Sequence, residues 1–409
     1  MTRNSTRSSG NTFGDTVSQR LWPLENEALC AEARRRTGLG DFGDPPIAPA
    51  LSMLVHSLEH EANLHPLGRF LMRSYLRRLL ETRLRLTKAW SEHLEALDNS
   101  PLRRPIFITS LPRTASTFFH ELLAEDPAHR APRVWEVMFP VSSGKPDRGW
   151  REPRVWRTAA DLWWFRRLAP RADAVHPIRA RTPHECAAIH SYTLCSDEFI
   201  SICRVPGYET FLHLSDVRPT YAWQKRFLQH LQWRDPERRW VLKAPFHVYG
   251  LEALFSVFPD AFIIQTHRNP AEVLRSSIHV SEVLHGLFAR PGDRDQLAAW
   301  EAQDLTGAIE RLTRFRDTHP QLASRFVDVN YSELVANPVT VLRRVYQHLE
   351  IPWSQTVAER MRQLALRRSR YPAHRTTRAS ADVRLDFTAQ VSRFDDYCQR
   401  FGIPCEQTG

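Results

Sequence analysis

Between residues 21 and 100, apolar positions recur every three or four residues among arginines, glutamates and lysines, most clearly over Leu51–Leu58 and Leu67–Leu94. That is the period of one helix face, so the segment predicts a helical layer, broken at Pro45-Pro46 and at Pro66. The pattern changes at Pro105. Short apolar runs now stand apart from one another: Ile106–Thr109, Trp240–Lys243, Phe262–Thr266 and Phe326–Val329, with helix-compatible stretches between them. This alternation predicts an α/β fold, a parallel sheet flanked by helices over residues 101–409, with the helical layer as an N-terminal extension. Residues 1–20 are polar and rich in Ser and Thr, and read as a flexible tail. The interval 129–235 is long for a connection between two strands. It carries Trp156, Trp163, Trp164 and Phe165, then Tyr208, Phe211, Tyr221, Trp223 and Trp233, aromatics expected mainly in the core.

The first apolar run ends at Ser110-Leu111-Pro112-Arg113, followed by the small, mostly hydroxylated Thr114, Ala115, Ser116 and Thr117, and then by Phe118–Leu123. A strand, a tight loop and a helix start aim backbone N–H groups and the positive end of a helix dipole at one point. Hydroxyl donors and the Arg113 guanidinium suit that point to phosphate or sulfate. A second strand end is built alike: Phe262–Thr266 leads into His267-Arg268-Asn269-Pro270, with Ser276 eight positions after Arg268. Ligands of open α/β sheets sit outside the carboxyl ends of the strands, so two anion-receptive ends suggest a ligand with two separated phosphates.

Together these segments resemble the sulfotransferases that use 3′-phosphoadenosine 5′-phosphosulfate (PAPS), whose fold is P-loop-NTPase-like. Residues 112–118 are similar to that family's 5′-phosphosulfate loop, and Arg268 with Ser276 to its 3′-phosphate motif. Leu242-Lys243-Ala244-Pro245-Phe246-His247 resembles the intervening Leu-Lys-Ser/Ala-Pro-x-His segment. Tyr331-Ser332-Glu333-Leu334, Asn337-Pro338 and Phe394–Ile403 extend the likeness over roughly residues 100–403. The resemblance implies sulfuryl transfer from PAPS to a hydroxyl or amine of a small-molecule, lipid or glycan acceptor, with acceptor specificity lodged around 129–235. It implies nucleotide contacts from Pro112, Arg113, Thr114, Ala115, Ser116, Thr117, Phe118, Arg268 and Ser276. Arg113 and Lys243 would act on the departing phosphate and the sulfuryl or bridging oxygen. Two departures stand out. Ala115 replaces the usual Gly, and the basic lid segment of many animal members is missing, its place falling to the stretch that includes His374 and Arg375. His247 is the leading candidate for general base, because imidazole titrates near neutrality. Glu185, in Pro183-His184-Glu185-Cys186, resembles a Pro-Glu-Glu segment of bacterial members and is the rival base or an orienting group for His247.

Composition adds limits rather than identity. The chain has 409 residues, 42% of them hydrophobic, enough for a large core. Its formal charge of +10 admits an anionic small molecule, an anionic surface or nucleic acid. Nucleic acid is not the expected partner, since arginine is spread along the chain; a homodimer stays open. The cysteines at 30, 186, 195, 203, 398 and 405 lack Cys-x-x-Cys spacing, which predicts reduced thiols in a cytoplasmic protein. His56-Ser57-Leu58-Glu59-His60 matches an inverted zinc-peptidase pattern but fits an ordinary amphipathic helix, and no metal is expected. A kinase or NTPase of related architecture is the alternative enzyme. Around Gly144-Lys145, however, position 139 is Phe and position 146 is Pro, so the Walker loop is not satisfied.

Overall fold

Each of the four apolar runs is a strand. The computed structural model describes residues 12–142, 152–233, 238–369 and 388–404. Its five-stranded sheet consists of β1 (Ile106–Ser110), β2 (His129–Arg130), β3 (Arg239–Lys243), β4 (Phe262–His267) and β5 (Phe326–Asn330). The order is β2-β3-β1-β4-β5, and every pairing is parallel. β2 has no counterpart among the apolar runs, being two residues at a sheet edge.

β1 and β4 are buried along their whole length. Successive side chains go to opposite faces. Phe107, Leu242 and Ile263 enter a core shared with the N-terminal helices. Ile106, Ile108, Val241 and Ile264 meet Phe119, Leu122, Leu342 and Tyr346 on the other face. Covering both faces is what lets a parallel strand read as a continuous apolar run. The registers Ile108↔Lys243 and Ser110↔Thr266 bring the carboxyl ends of β1, β3 and β4 to one edge. The later strands flank β1 on both sides, β2 and β3 on one and β4 and β5 on the other, so the loop after β1 sits at the topological switch point.

The N-terminal extension is helical over Asn26–Thr37, Ala48–His60, Pro66–Glu92 and Leu94–Asp98. One further helix, Thr12–Leu21, begins inside the segment expected to be a flexible tail. Its Ser18 is buried, and Trp22 just beyond it sets its ring edge-on to Phe70 at 5.4 Å. That packing partner lies about fifty residues away and leaves no local trace in a polar sequence. His56 and His60 lie exposed on one helix, and Glu59 is tied to Arg69 through Oε2 at 2.6 Å. The expectation of reduced thiols holds for Cys30, Cys186, Cys195 and Cys203 but fails for Cys398, which is disulfide-bonded. The absence of Cys-x-x-Cys spacing excludes that one motif and says nothing about a bond at another spacing.

Arg83 clasps the extension to the rest. It is fully buried in Pro66–Glu92 and donates to the carbonyls of Phe42 (2.7 Å), Gly43 (3.0 Å), Pro45 (2.6 Å) and Tyr192 (2.7 Å). Its guanidinium also lies 4.1 Å from the centre of the Trp223 ring. Replacing it strands several buried acceptors, each costing about 1–3 kcal/mol. Arg83→Met is therefore expected to lower stability by at least ~3 kcal/mol. The check is a fall in denaturant midpoint at unchanged slope.

Candidate active site

The loop after β1 takes its shape from two left-handed residues and one buried hydroxyl. Arg113 and Ala115 have φ of 63° and 64°. This region is costly for a residue with a Cβ, about 1–3 kcal/mol, which explains the family's glycine at position 115. Thr114 is fully buried. Its Oγ1 lies 2.8 Å from Ser110 Oγ and 2.7 Å from Thr266 Oγ1, and it donates to or shares with Leu111 O at 3.0 Å. The expectation that this hydroxyl meets the nucleotide phosphate is thereby corrected: it is spent knotting the loop to β1 and β4. Phe118 is likewise turned away, packing against the apolar core on the far side of the sheet. Ser110, Pro112, Arg113, Ser116 and Thr117 do line a cavity of about 530 Å³.

Arg113, Arg268 and Ser276 come together. Arg113 Nε donates to Ser276 Oγ at 3.0 Å, and Arg268 Nη1 donates to the Arg113 carbonyl at 3.0 Å. Arg268 also pairs with Glu272 at 2.6 Å and stands 4.4 Å from the Tyr331 ring centre. Burial, with Arg268 adding repulsion, lowers the Arg113 pKa. Two neighbouring guanidiniums and a hydroxyl make a cradle for an anion.

Lys243, at the end of β3, is 2% exposed. Its Nζ donates to Thr117 Oγ1 at 3.1 Å and forms an ion pair with Glu185. Glu185 reaches this point because its strand of chain is pinned. His184 N donates to Pro132 O at 2.8 Å and Val134 N to Thr182 O at 3.1 Å. Burial alone would raise the Glu185 carboxyl, but Lys243, His176 and His184 outweigh it and hold it down at about 2. Both residues line the large cavity, together with His176 and His184.

The family profile described as "Sulfotransferase family" matches residues 105–355, more than half of the chain. This chain belongs to the sulfotransferase family. It is similar to the omega-hydroxy-beta-dihydromenaquinone-9 sulfotransferase Stf3 of Mycobacterium tuberculosis, with 29% identity over 271 residues. That match covers 63% of this chain and 66% of the relative, a little under two thirds of its length. Two crystal structures share the fold along nearly the whole chain. Sulfotransferase STF1 of M. tuberculosis gives a TM-score of 0.77 at 27% identity, covering 93% of this chain and 99% of that one. Sulfotransferase STF9 of Mycobacterium avium gives 0.83 at 25% identity, covering 94% and 98%.

In this sulfotransferase His247 lies within electrostatic reach of Glu185 and Lys243 but lines a different part of the cleft. It is 1% exposed, with Nδ1 2.8 Å from the Tyr221 hydroxyl and its ring edge-on to Phe107 at 5.1 Å. Burial, with His190 adding, holds it well below the usual imidazole range. It lines a cavity of about 60 Å³ with His190 and Tyr221, which adjoins the large one through shared walls at Asp197, His213 and Tyr249. After Lys243 the chain enters a short 3-10 helix, Pro245–Tyr249, which carries His247. His374 and Arg375 lie outside the described residues.

Several groups of the large cavity escaped the sequence reading. His176 and His184 carry no motif of their own. The lining also includes Glu209, His213, Glu301 and Asp304. Glu209 accepts from Trp300 Nε1 at 2.8 Å and Asp304 from Tyr249 OH at 2.5 Å. The i,i+4 spacing of Glu209 and His213 was legible, whereas Asp304 arrives from a distant helix.

Burial, then Asp304 and Glu209, push Glu301 up to about 7. Burial, then Asp304, raise Asp197 to about 8. Ordinary carboxylates titrate near ~4, so the folded state binds protons that the unfolded state has lost. The contribution of these two groups to stability is full below about pH 4 and is lost as pH rises through their folded values. Glu301→Gln, neutral throughout, is expected to flatten that decline in denaturant midpoints taken from about pH 5 to 8.

Proposed function

We propose that this sulfotransferase uses PAPS as donor and sulfates a hydroxyl on a large, mostly apolar acceptor, releasing 3′-phosphoadenosine 5′-phosphate (PAP). The observation that carries the reading is the Lys243–Glu185 pair, set beside Thr117 of the anion loop and facing the 530 Å³ cavity. Arg113, Arg268 and Ser276 fit a doubly phosphorylated nucleotide, being cationic groups and a hydroxyl with no ligand carboxylate among them.

When bound, PAPS supplies an activated sulfuryl group whose departure leaves negative charge on a phosphate oxygen. Backbone N–H groups of residues 114–117 and the hydroxyls of Ser116 and Thr117 hold that phosphate, and Arg113 neutralises the charge that develops. Lys243 turns from Glu185 to the bridging oxygen. Losing this neighbour raises the basicity of Glu185, because the lysine is the foremost group holding its carboxyl down. Glu185 then takes the acceptor O–H proton as the oxygen–sulfur bond forms and the sulfur–phosphate oxygen bond breaks. Glu185 is preferred to His247 as base because it faces the cavity that can hold an acceptor.

Leu79, Val134, Met138, Leu162, Phe165, Leu284 and Phe288 are among the walls of that cavity. They suit an apolar body carrying one reactive hydroxyl. The Stf3 relative is named for an omega-hydroxylated menaquinone. A hydroxylated lipid of that general kind is the proposed acceptor class here.

PAP at ~100 times its dissociation constant should add about 2.7 kcal/mol of stability. ATP, which lacks the 3′-phosphate, should add far less at the same concentration. Equal thermal shifts from the two nucleotides would remove the donor assignment.

The second check is a rate series over hydroxylated acceptors of graded acidity. Glu185→Gln should lower kcat by about 10²–10⁴, with the loss shrinking as the acceptor becomes more acidic. Lys243→Ala should lose about a hundredfold or more with no such rescue, since charge on the leaving phosphate is independent of acceptor pKa. His247→Gln should keep the wild-type dependence on acceptor acidity. A rescue seen in His247→Gln and absent in Glu185→Gln would return the base to His247.

A further inference from the structure

The helix Pro153–Leu168 has two unlike sides. Val155, Thr158 and Leu162 form its buried side. Its outer side exposes Trp156 (62%), Trp163 (46%), Trp164 (61%) and Leu168 (80%). At 100° per residue these side chains fall on one face with Arg157 and Arg167 between them. Isolated apolar residues on a surface are ordinary, but a contiguous aromatic face marks a contact surface.

The charge on this helix is one-sided. It carries Arg154, Arg157, Arg166 and Arg167 against a single acid, Asp161. Arg154 is committed to Glu152 and to the carbonyls of Phe139 and Pro140. Arg157, Arg166 and Arg167 have no carboxylate partner among the described residues. Arg167 instead lies 5.5 Å from the Trp163 ring centre, and Arg157 4.3 Å from that of Phe139. Tryptophans with long cationic side chains on one helical face are the composition of an interfacial helix. Indoles settle at the headgroup level while guanidiniums reach the lipid phosphates.

The same helix is a wall of the acceptor cavity. Asp161, Leu162 and Phe165 line it, so its inner side meets the acceptor while the outer side meets the surroundings. No helix among the described residues is long and apolar enough to cross a membrane, so contact with a bilayer would lie along its surface.

We propose that the outer face of Pro153–Leu168 docks the enzyme on an anionic lipid bilayer, delivering a membrane-resident acceptor to the cavity behind it. This rests on the reading of the acceptor as lipid-like. A bilayer suits the face better than a second copy of the chain. A two-fold contact would set the unpaired arginines of one helix against those of the other, whereas anionic headgroups neutralise them.

The test is flotation of the full-length protein with phosphatidylcholine vesicles containing phosphatidylglycerol, against phosphatidylcholine alone. Binding is expected to the anionic vesicles, roughly tenfold or more weaker to the neutral ones, and to weaken with salt. This comparison uses the unaltered protein and does not depend on a variant folding. The double variants Trp163→Ser/Trp164→Ser and Arg157→Glu/Arg167→Glu should each lose about tenfold or more in partitioning. Their PAP affinity should match wild type, because none of these side chains lines the cavity. Absence of flotation, equal binding to both vesicle types, or wild-type partitioning by both variants would overturn the docking face. So would a concentration-dependent dimer that the tryptophan variant abolishes. PAP titration in parallel separates the two readings: PAP binding without flotation removes the docking face alone, and flotation without PAP binding removes the donor alone.

Discussion

The active site depends on one register. β1 lies between β3 and β4 in parallel pairing, so Ser110, Lys243 and Thr266 finish on a common edge. The Thr114 hydroxyl then ties the loop beyond β1 to Ser110 and to Thr266. With the loop anchored on two strands, the left-handed backbone at Arg113 and Ala115 is held in place by its surroundings, which local preference alone would not do. The positions of Arg113, Ser116 and Thr117 follow from that anchoring.

Around this frame the cations of the candidate site are engaged by protein groups. Lys243 is paired with Glu185, Arg268 with Glu272, and Arg113 is hydrogen-bonded to Ser276. Unmatched buried charges are costly, and an anion-binding site must nevertheless keep its cations available. Pairing them with carboxylates and hydroxyls at the cavity wall meets both demands. Two acids of the lining differ in kind, since Glu301 and Asp197 keep their charge down by holding protons near neutral pH.

Much of this was legible in the sequence because it is local. The strands, the loop and the Arg268–Ser276 spacing are encoded in runs of a few residues, and the family likeness named Lys243 and Glu185. What escaped was set by contacts distant in the chain. Thr114 looks like one more phosphate-binding hydroxyl until Thr266, far along the chain, is seen to claim it. His247 follows Lys243 by four residues, yet the short 3-10 helix that carries it sets it against Tyr221. The aromatics of 129–235 divide as no periodicity announces: Tyr208, Tyr221 and Trp223 are buried, while Trp163 and Trp164 face outward. Arg83, in an amphipathic helix, reads as a surface residue and is fully buried.

The Arg83 clasp has a consequence for how this sequence can drift. All four of its acceptors are main-chain carbonyls. A carbonyl is supplied by any residue, so the identities of Phe42, Pro45 and Tyr192 are not what the clasp reads; it reads only the path of the backbone. As far as this contact goes, the acceptor side chains can change without a compensating partner. Arg83 has no such latitude, because lysine offers a point charge in place of a planar fork. The clasp thus rests on a single codon, while the residues that supply its acceptors stay open to variation as far as this contact is concerned.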